Sequence, residues 1–255
     1  MHQAIVRKPA ASFSAGLTTA NLGAPDYARA LEQHHAYCAA LQRCGLSLTR
    51  LEPDDLHPDS TFIEDTAVLV DGSAVVSRPG APSRAGEVAS VARVLAQVLS
   101  EVHKIEEPGT LDGGDVCEAG SHYFIGISER TNEAGAQQLS RFLVALGRSY
   151  SFIDIRGING LLHLKSGVAS LGDNRLVVVD ALARVREFSA YELVGVPKGE
   201  EYAANCVRIN DTVLIAKGYS EFAASLATLG YQTIELDMSE FQKLDGGLSC
   251  LSLRF

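Results

Sequence analysis

Four times along this chain a two-strand hairpin precedes a helical stretch and a third strand. That recurrence limits the fold more than any single motif. The first copy reads FIEDTAVLVDGSAVVSR, with Asp71-Gly72 between two apolar runs, the composition of a tight hairpin turn. The stretch Glu87 to Leu99 then sets Val88, Val91, Leu95 and Val98 on one helical face, and VHKI follows as a strand. The second copy is GGDVCEAGSHYFIGIS, turning at Gly120, then a helix from Asn132 to Leu146, then YSFIDI. The third is LLHLKSGVASLGDNRLVVVD, turning near Gly172-Asp173, followed by ALARVREF as the helix and YELVGV as the strand. The fourth is NCVRINDTVLIAKG, turning at Asn210-Asp211, followed by SEFAASLATLG and YQTIEL. A fifth copy is split between the two ends. The closing SCLSLRF reads as one strand from the alternation of Leu248, Cys250, Ser252 and Arg254 against Ser249, Leu251, Leu253 and Phe255. QAIVRK is its hairpin partner, and YARALEQHHAYCAALQRCG and LSLTRL complete the unit. Five ββαβ units closing on themselves predict an α/β five-bladed propeller with fivefold pseudosymmetry, formed as one domain over residues 1–255.

The mouth of each first strand carries a polar residue: Asp65, Asp115, His163, Asn205 and Cys250. These recur at roughly 45-residue intervals, the period of a repeat fold. In a closed ring such positions converge, so the repeat predicts a cluster of two carboxylates, an imidazole, an amide and a thiol.

Composition bounds what that cluster can serve. A 255-residue chain with 46% apolar and 21% charged residues can build a sizeable core. The net charge of −9 argues against nucleic acid or an anionic membrane as partner and is compatible with a small cationic substrate. No segment has the apolar length of a membrane span, and the first residues lack the layout of a secretory signal. The five cysteines, Cys38, Cys44, Cys117, Cys206 and Cys250, form no CxxC pair. An odd count without a secretory signal predicts free thiols in the cytoplasm.

A cysteine and a histidine in one pocket are the elements of nucleophilic catalysis: a thiolate attacks carbon, and an imidazole protonates the leaving group and then activates water. Glu64-Asp65 and Asp112-Gly113-Gly114-Asp115 flank the expected centre, where Lys165 is the exceptional cation. Buried carboxylates call for a cationic partner. A planar guanidinium suits them because it pairs bidentately. A zinc ion held by Asp, His and Cys is the alternative, but no ligand pair has short metal-site spacing, so neither metal nor cofactor is expected.

The motifs FIED, GTLDGGDV, LLHLK, AANC and LDGGLSC, in this order, resemble those of the dimethylarginine dimethylaminohydrolases of the guanidino-group-modifying superfamily, the short bacterial type above all. The resemblance covers nearly the whole chain and implies the same five-bladed α/β-propeller. It implies Cys250 as nucleophile of a covalent thiouronium intermediate, His163 as acid/base and Asp112 as the acid that holds the imidazole. In some members that acid is Glu, so the shorter Asp112 must reach far enough. It further implies that Asp65, with Glu64, binds the guanidinium. Asp59 and the Leu17 backbone would bind the α-amino group, Arg84 and Arg130 the α-carboxylate, and Leu244 would line the substrate. Close members suggest a homodimer.

Arginine deiminases and amidinotransferases place an aspartate two residues after the histidine, where this chain has Lys165. A dimethylated nitrogen has no N–H for such a carboxylate, so its omission favours a methylated guanidine over free arginine. The expected activity is hydrolysis of Nω-methylated L-arginines to L-citrulline and methylamine or dimethylamine. A deiminase of another guanidino compound and a non-catalytic binder of arginine-like ligands are the alternatives.

Overall fold

The computed structural model describes all 255 residues. Five three-stranded sheets share one plan. The middle strand pairs antiparallel with its hairpin partner and parallel with the strand returning from the crossover. In the first repeat β3 (Ala67–Val70), β4 (Ser73–Val76) and β5 (Glu101–Lys104) are joined by α2 (Val88–Val98). The second has β6 (Val116–Ala119), β7 (His122–Ile127), α3 (Glu133–Ala145) and β8 (Ser149–Asp154). The third has β9 (Val168–Gly172), β10 (Arg175–Val178) and β11 (Glu192–Gly195). The fourth has β12 (Val207–Ile209), β13 (Thr212–Ala216), α4 (Ser220–Thr228) and β14 (Gln232–Leu236), followed by the short α5 (Ser239–Gln242). The split fifth repeat is assembled from β15 (Leu253–Arg254), β1 (Gln3–Arg7), α1 (Tyr27–Arg43) and β2 (Ser47–Leu51). Ala4 pairs with Arg254 and Ile5 with Leu253.

The hairpin turns fall where the sequence places them. Asp71 and Gly72 both have positive φ (50° and 77°), as do Asp173 and Asn174 (49° and 61°), the backbone of a type I′ two-residue loop. The helices are amphipathic. In α1 the buried positions Ala30, His34, Tyr37, Cys38 and Leu41 follow the helical repeat, and the Asp26 side chain caps the start by accepting from the Arg29 N–H.

Two expectations fail. The third repeat has no α-helix: its crossover is two 3₁₀ turns, Asp180–Leu182 and Arg186–Phe188, with Val185 extended between them (ψ 120°). The extended Val185 interrupts the hydrogen-bond ladder, so neither turn continues into an α-helix. The C-terminal segment is not one strand: Ser249–Leu251 form a 3₁₀ turn, and only Leu253–Arg254 pair. Residues 248–253 are all buried, so the alternation does not separate a core face from a solvent face.

The chain forms two compact units. One comprises residues 1–63 and 205–255, with the fourth and fifth repeats. The other comprises residues 64–204, with the first three. In the latter, Val68, Val75, Leu111, Ile125, Leu139 and Leu143 belong to one apolar core joining the first two repeats. In the former, Phe13, Phe62 and Phe241 pack ring to ring, with centroids 5.4 to 6.2 Å apart. No helix is long and apolar enough to cross a membrane.

Candidate active site

Each first strand is entered through a 3₁₀ turn: Ile63–Thr66, Gly113–Asp115, Leu164–Ser166, Glu201–Ala204 and Ser249–Leu251. Asp65, Asp115 and Cys250 lie in these turns, while His163 directly precedes one and Asn205 directly follows one. The five polar positions are therefore related but not in identical phase. The sequence spacing alone cannot show this, because a turn adds residues without adding a strand period.

In the unit of residues 64–204, His163 Nε2 lies 3.0 Å from Asp112 Oδ2 and 4.0 Å from Asp65 Oδ1. The shorter Asp112 side chain thus reaches the imidazole. Asp112 is fully buried; its other oxygen accepts from the Gly80 N–H at 2.9 Å, and its own N–H donates to Thr131 Oγ1. The imidazole lies close against Gly114, where a Cβ would stand 2.9 Å from His163 Cγ and Nδ1. Only glycine permits that approach. Burial disfavours the imidazolium, but the Asp65 charge, the Asp112 hydrogen bond and the Asp115 charge outweigh it and raise the His163 pKa to about 9. His163 is held as a proton donor at neutral pH.

Asp65 is buried too. Its Oδ2 accepts from Arg84 Nη1 at 2.6 Å and its Oδ1 from the Gly114 N–H at 2.9 Å. Burial favours its neutral form, but the charges of His163 and Arg84 prevail and lower its pKa to about 2. Arg84 is buried and also grips Glu87 through Nε and Nη2. Its partners here are the internal carboxylates Asp65 and Glu87. Glu64 pairs with Lys165 Nζ at 2.7 Å. Lys165 thus compensates a carboxylate. Arg130 is half-buried, with its N–H donating to Ser128 Oγ.

Asp65, Asp112 and His163 bring donor atoms within 4.8 Å of one another, close enough for a metal ion. The donors are already paired with one another and with a cation: His163 Nε2 is bonded to Asp112, and Arg84 sits on Asp65. That set fits proton handling better than metal binding.

The remaining expected residues lie in the other unit. Asp59, 6% exposed, accepts the Leu17 N–H at 3.0 Å. Leu244 borders the same place: a Cβ on Gly16 would meet both Asp59 Oδ1 and Leu244 Cδ1 within 2.9 Å. Cys250 is buried, and its Sγ accepts the Gly247 N–H at 3.4 Å. An N–H aimed at sulfur supports negative charge there. The preceding residue, Ser249, is clasped by Asn205, whose Oδ1 accepts the Ser249 N–H (2.8 Å) and whose Nδ2 donates to Ser249 Oγ (3.1 Å).

Several supporting residues escaped the sequence reading. Ser128 and Thr131 each donate a hydroxyl to Asp115 Oδ2 at 2.7 Å. The SERT segment carries them, and its Ser and Thr three residues apart were the available signal. Glu87, three residues after Arg84, was visible as an i,i+3 pair. Arg254, which donates to the Ser249 carbonyl at 3.1 Å, had no local signal.

No family model matches the chain. Among solved structures, the N-terminal domain of ArgZ, covalently bound to a reaction intermediate, superimposes with a TM-score of 0.88 at 19% identity, covering 99% of this chain and 97% of that one. Five three-stranded repeats, four of them ββαβ, define the fold as a five-bladed α/β-propeller, the fold shared with that domain. Within that fold, the chain is 43% identical over 252 residues to the N(G),N(G)-dimethylarginine dimethylaminohydrolase of Pseudomonas aeruginosa, covering 98% of each chain. That enzyme, solved as a cysteine-to-serine mutant complexed with citrulline, superimposes with a TM-score of 0.97 over 100% of this chain and 99% of its own. The chain belongs to the dimethylarginine dimethylaminohydrolase family.

Proposed function

We propose that the protein hydrolyses Nω,Nω-dimethyl-L-arginine and Nω-methyl-L-arginine to L-citrulline, releasing dimethylamine or methylamine, and that residues 1–255 act as one catalytic domain. The observation that carries this is the buried His163–Asp112 pair at 3.0 Å, an imidazole kept protonated beside Asp65. Asp65 and Glu64 are assigned to the guanidinium. The α-amino group is assigned to Asp59 and the Leu17 backbone, with Leu244 against the aliphatic chain. The α-carboxylate is assigned to Arg130 and Arg84, whose bond to Asp65 would couple tail recognition to guanidinium recognition.

Cys250 thiolate attacks the guanidinium carbon. His163 protonates the substituted nitrogen, the C–N bond breaks, and the amine departs, leaving an S-alkylthiouronium. His163 then takes a proton from water, hydroxide adds to the same carbon, and the C–S bond breaks as the hydroxyl proton passes to solvent, where the departed amine takes it up, giving citrulline and free thiolate. Water is the only co-reactant. Lys165 supports the methylated substrate: with lysine at that position, no carboxylate there demands N–H donors that a dimethylated nitrogen lacks.

The test is a panel of asymmetric dimethylarginine, monomethylarginine, arginine and agmatine, read by citrulline or the corresponding urea product. Turnover of the methylated arginines that disappears in Cys250→Ser while binding persists is expected. Turnover of arginine or agmatine alone would replace this function with a deiminase, and binding without turnover would make the protein a ligand binder. The setting carried with this assignment is the cytoplasm, and the assembly is a homodimer, which sedimentation checks.

A further inference from the structure

Three of the five repeats use their polar mouth residue in one way. Asp65 of the first repeat accepts the N–H of Gly114, in the entry turn of the second (2.9 Å). Asp115 of the second accepts the N–H of Leu164, in the entry turn of the third (2.9 Å). Asn205 of the fourth accepts the N–H of Ser249, in the entry turn of the fifth (2.8 Å). Each oxygen therefore satisfies a donor of the following repeat, and all three acceptors are buried. In the third and fifth repeats the series position is His163 and Cys250, to which chemistry is assigned above.

The latched turns matter because of what they carry. Leu164 is bonded directly to His163, so Asp115 fixes the backbone from which the imidazole projects. Ser249 is bonded directly to Cys250, so Asn205, gripping both its N–H and its hydroxyl, fixes the backbone from which the thiol projects. The two latches differ by one atom type. The latch beside the imidazole is a carboxylate, and the latch beside the thiol is a neutral amide.

We propose that Asp115 and Asn205 are positioning residues for His163 and Cys250, and that carboxylate or amide is matched to the charge each reacting group must carry. This rests on the hydrolase assignment above. A buried carboxylate at Asp115 favours a cation on His163; the same charge at Asn205 would oppose an anion on Cys250. The charged groups facing His163 are Asp65, Asp112 and Asp115, with Arg84 behind Asp65. The charged group bonded to the Cys250 turn is Arg254, through the Ser249 carbonyl. A carboxylate at 205 would enter beside the thiolate, where burial leaves little screening.

Exchanging the latches tests this. Asn205→Asp retains an acceptor for the Ser249 N–H and adds the charge. The pH midpoint for alkylation of Cys250 by iodoacetamide, read by mass spectrometry on the Cys250 peptide, should rise by about one unit or more. Asn205→Ala removes the latch, and kcat should fall at least about tenfold with KM little changed; Asn205→Asp should recover part of that loss above its new midpoint. In Asp115→Asn, the His163 imidazolium, followed by NMR and assigned by its loss in His163→Gln, should lose its proton about one pH unit or more lower. Unmoved midpoints, or an Asn205→Ala enzyme with full kcat, overturn the proposal. If Asp115→Asn does not fold, the Asn205 variants decide. Wild-type protein that releases no citrulline while the midpoints shift as stated would refute the hydrolase assignment and leave the latches standing.

Discussion

At the scale of single residues the candidate site is a set of charges balanced by position. His163 keeps its proton because three aspartates surround it, and Asp65 keeps its charge because His163 and Arg84 flank it. His163 has a folded pKa above its unfolded one. Its stabilising contribution is therefore complete below about pH 6.5 and lost as pH rises through about 9. We expect urea denaturation to show stability falling over that window by on the order of 3 kcal/mol, with His163→Gln flattening the slope. Asp112→Asn should leave the Gly80 contact in place but turn an amide toward Nε2. A loss of roughly 10²-fold or more in kcat with a modest change in KM is the expected result of steady-state assays. Lys165 offers a third test. Glu64 is 3% exposed, so Lys165→Met removes a paired cation from a buried carboxylate and should cost about 3 kcal/mol. Saturating methylarginine should restore part of the lost melting temperature if its guanidinium meets Glu64; an unchanged deficit would remove Glu64 from the guanidinium contacts.

At the scale of elements, close backbone approach does what side chains cannot. A Cβ on Gly80 would lie 2.3 Å from the Arg130 carbonyl oxygen, inside the backbone of the neighbouring repeat. Gly80→Ala should therefore destabilise by about 1–3 kcal/mol and pull the Gly80 N–H from Asp112. Calorimetry together with the His163 titration would detect both effects. The elements also show what was legible beforehand. Hairpins announced by Asp71-Gly72, Gly120 and Asn210-Asp211 were, because positive-φ backbone restricts residue choice strongly. The helices were, because Val91 and Leu95 or Leu139 and Leu143 repeat at helical spacing. The entry turns were not: a single 3₁₀ turn spans too few residues to set a period, and the alternation running through Ser249–Leu251 read as a strand. For the same reason Cys250, His163 and Asp112 could be named from their motifs, while their supports, Asn205 on Ser249 and Gly80 on Asp112, come from distant segments. Of the two carboxylates around Arg84, Glu87 lies three residues along the same segment, while Asp65 comes from another turn and left no local signal.

At the scale of the whole molecule the fold has one weak seam. Sheets such as β6–β7–β8 form between neighbours in sequence, and β7 pairs with β8 over six residues. The fifth sheet instead joins Ala4 and Ile5 to Arg254 and Leu253, over two residue pairs, with Phe255 accepting from His2 and Gln3. Short pairings open first. In urea too dilute to change the helical signal, the β15 amides should exchange faster than those of β7, and Cys250 should alkylate faster than in water. Equal protection of both strands would mean the seam opens only with the whole fold. The same pairing also sets an order in time. Closing a loop of nearly the full chain length is the slowest kind of contact a folding chain makes. The sheets whose strands are neighbours can assemble while the chain is still incomplete, but the strand that follows the thiol has to wait for both ends. In a newly made molecule the pairing that follows Cys250 is therefore expected to form after the sheets that position Asp65, Asp115 and His163.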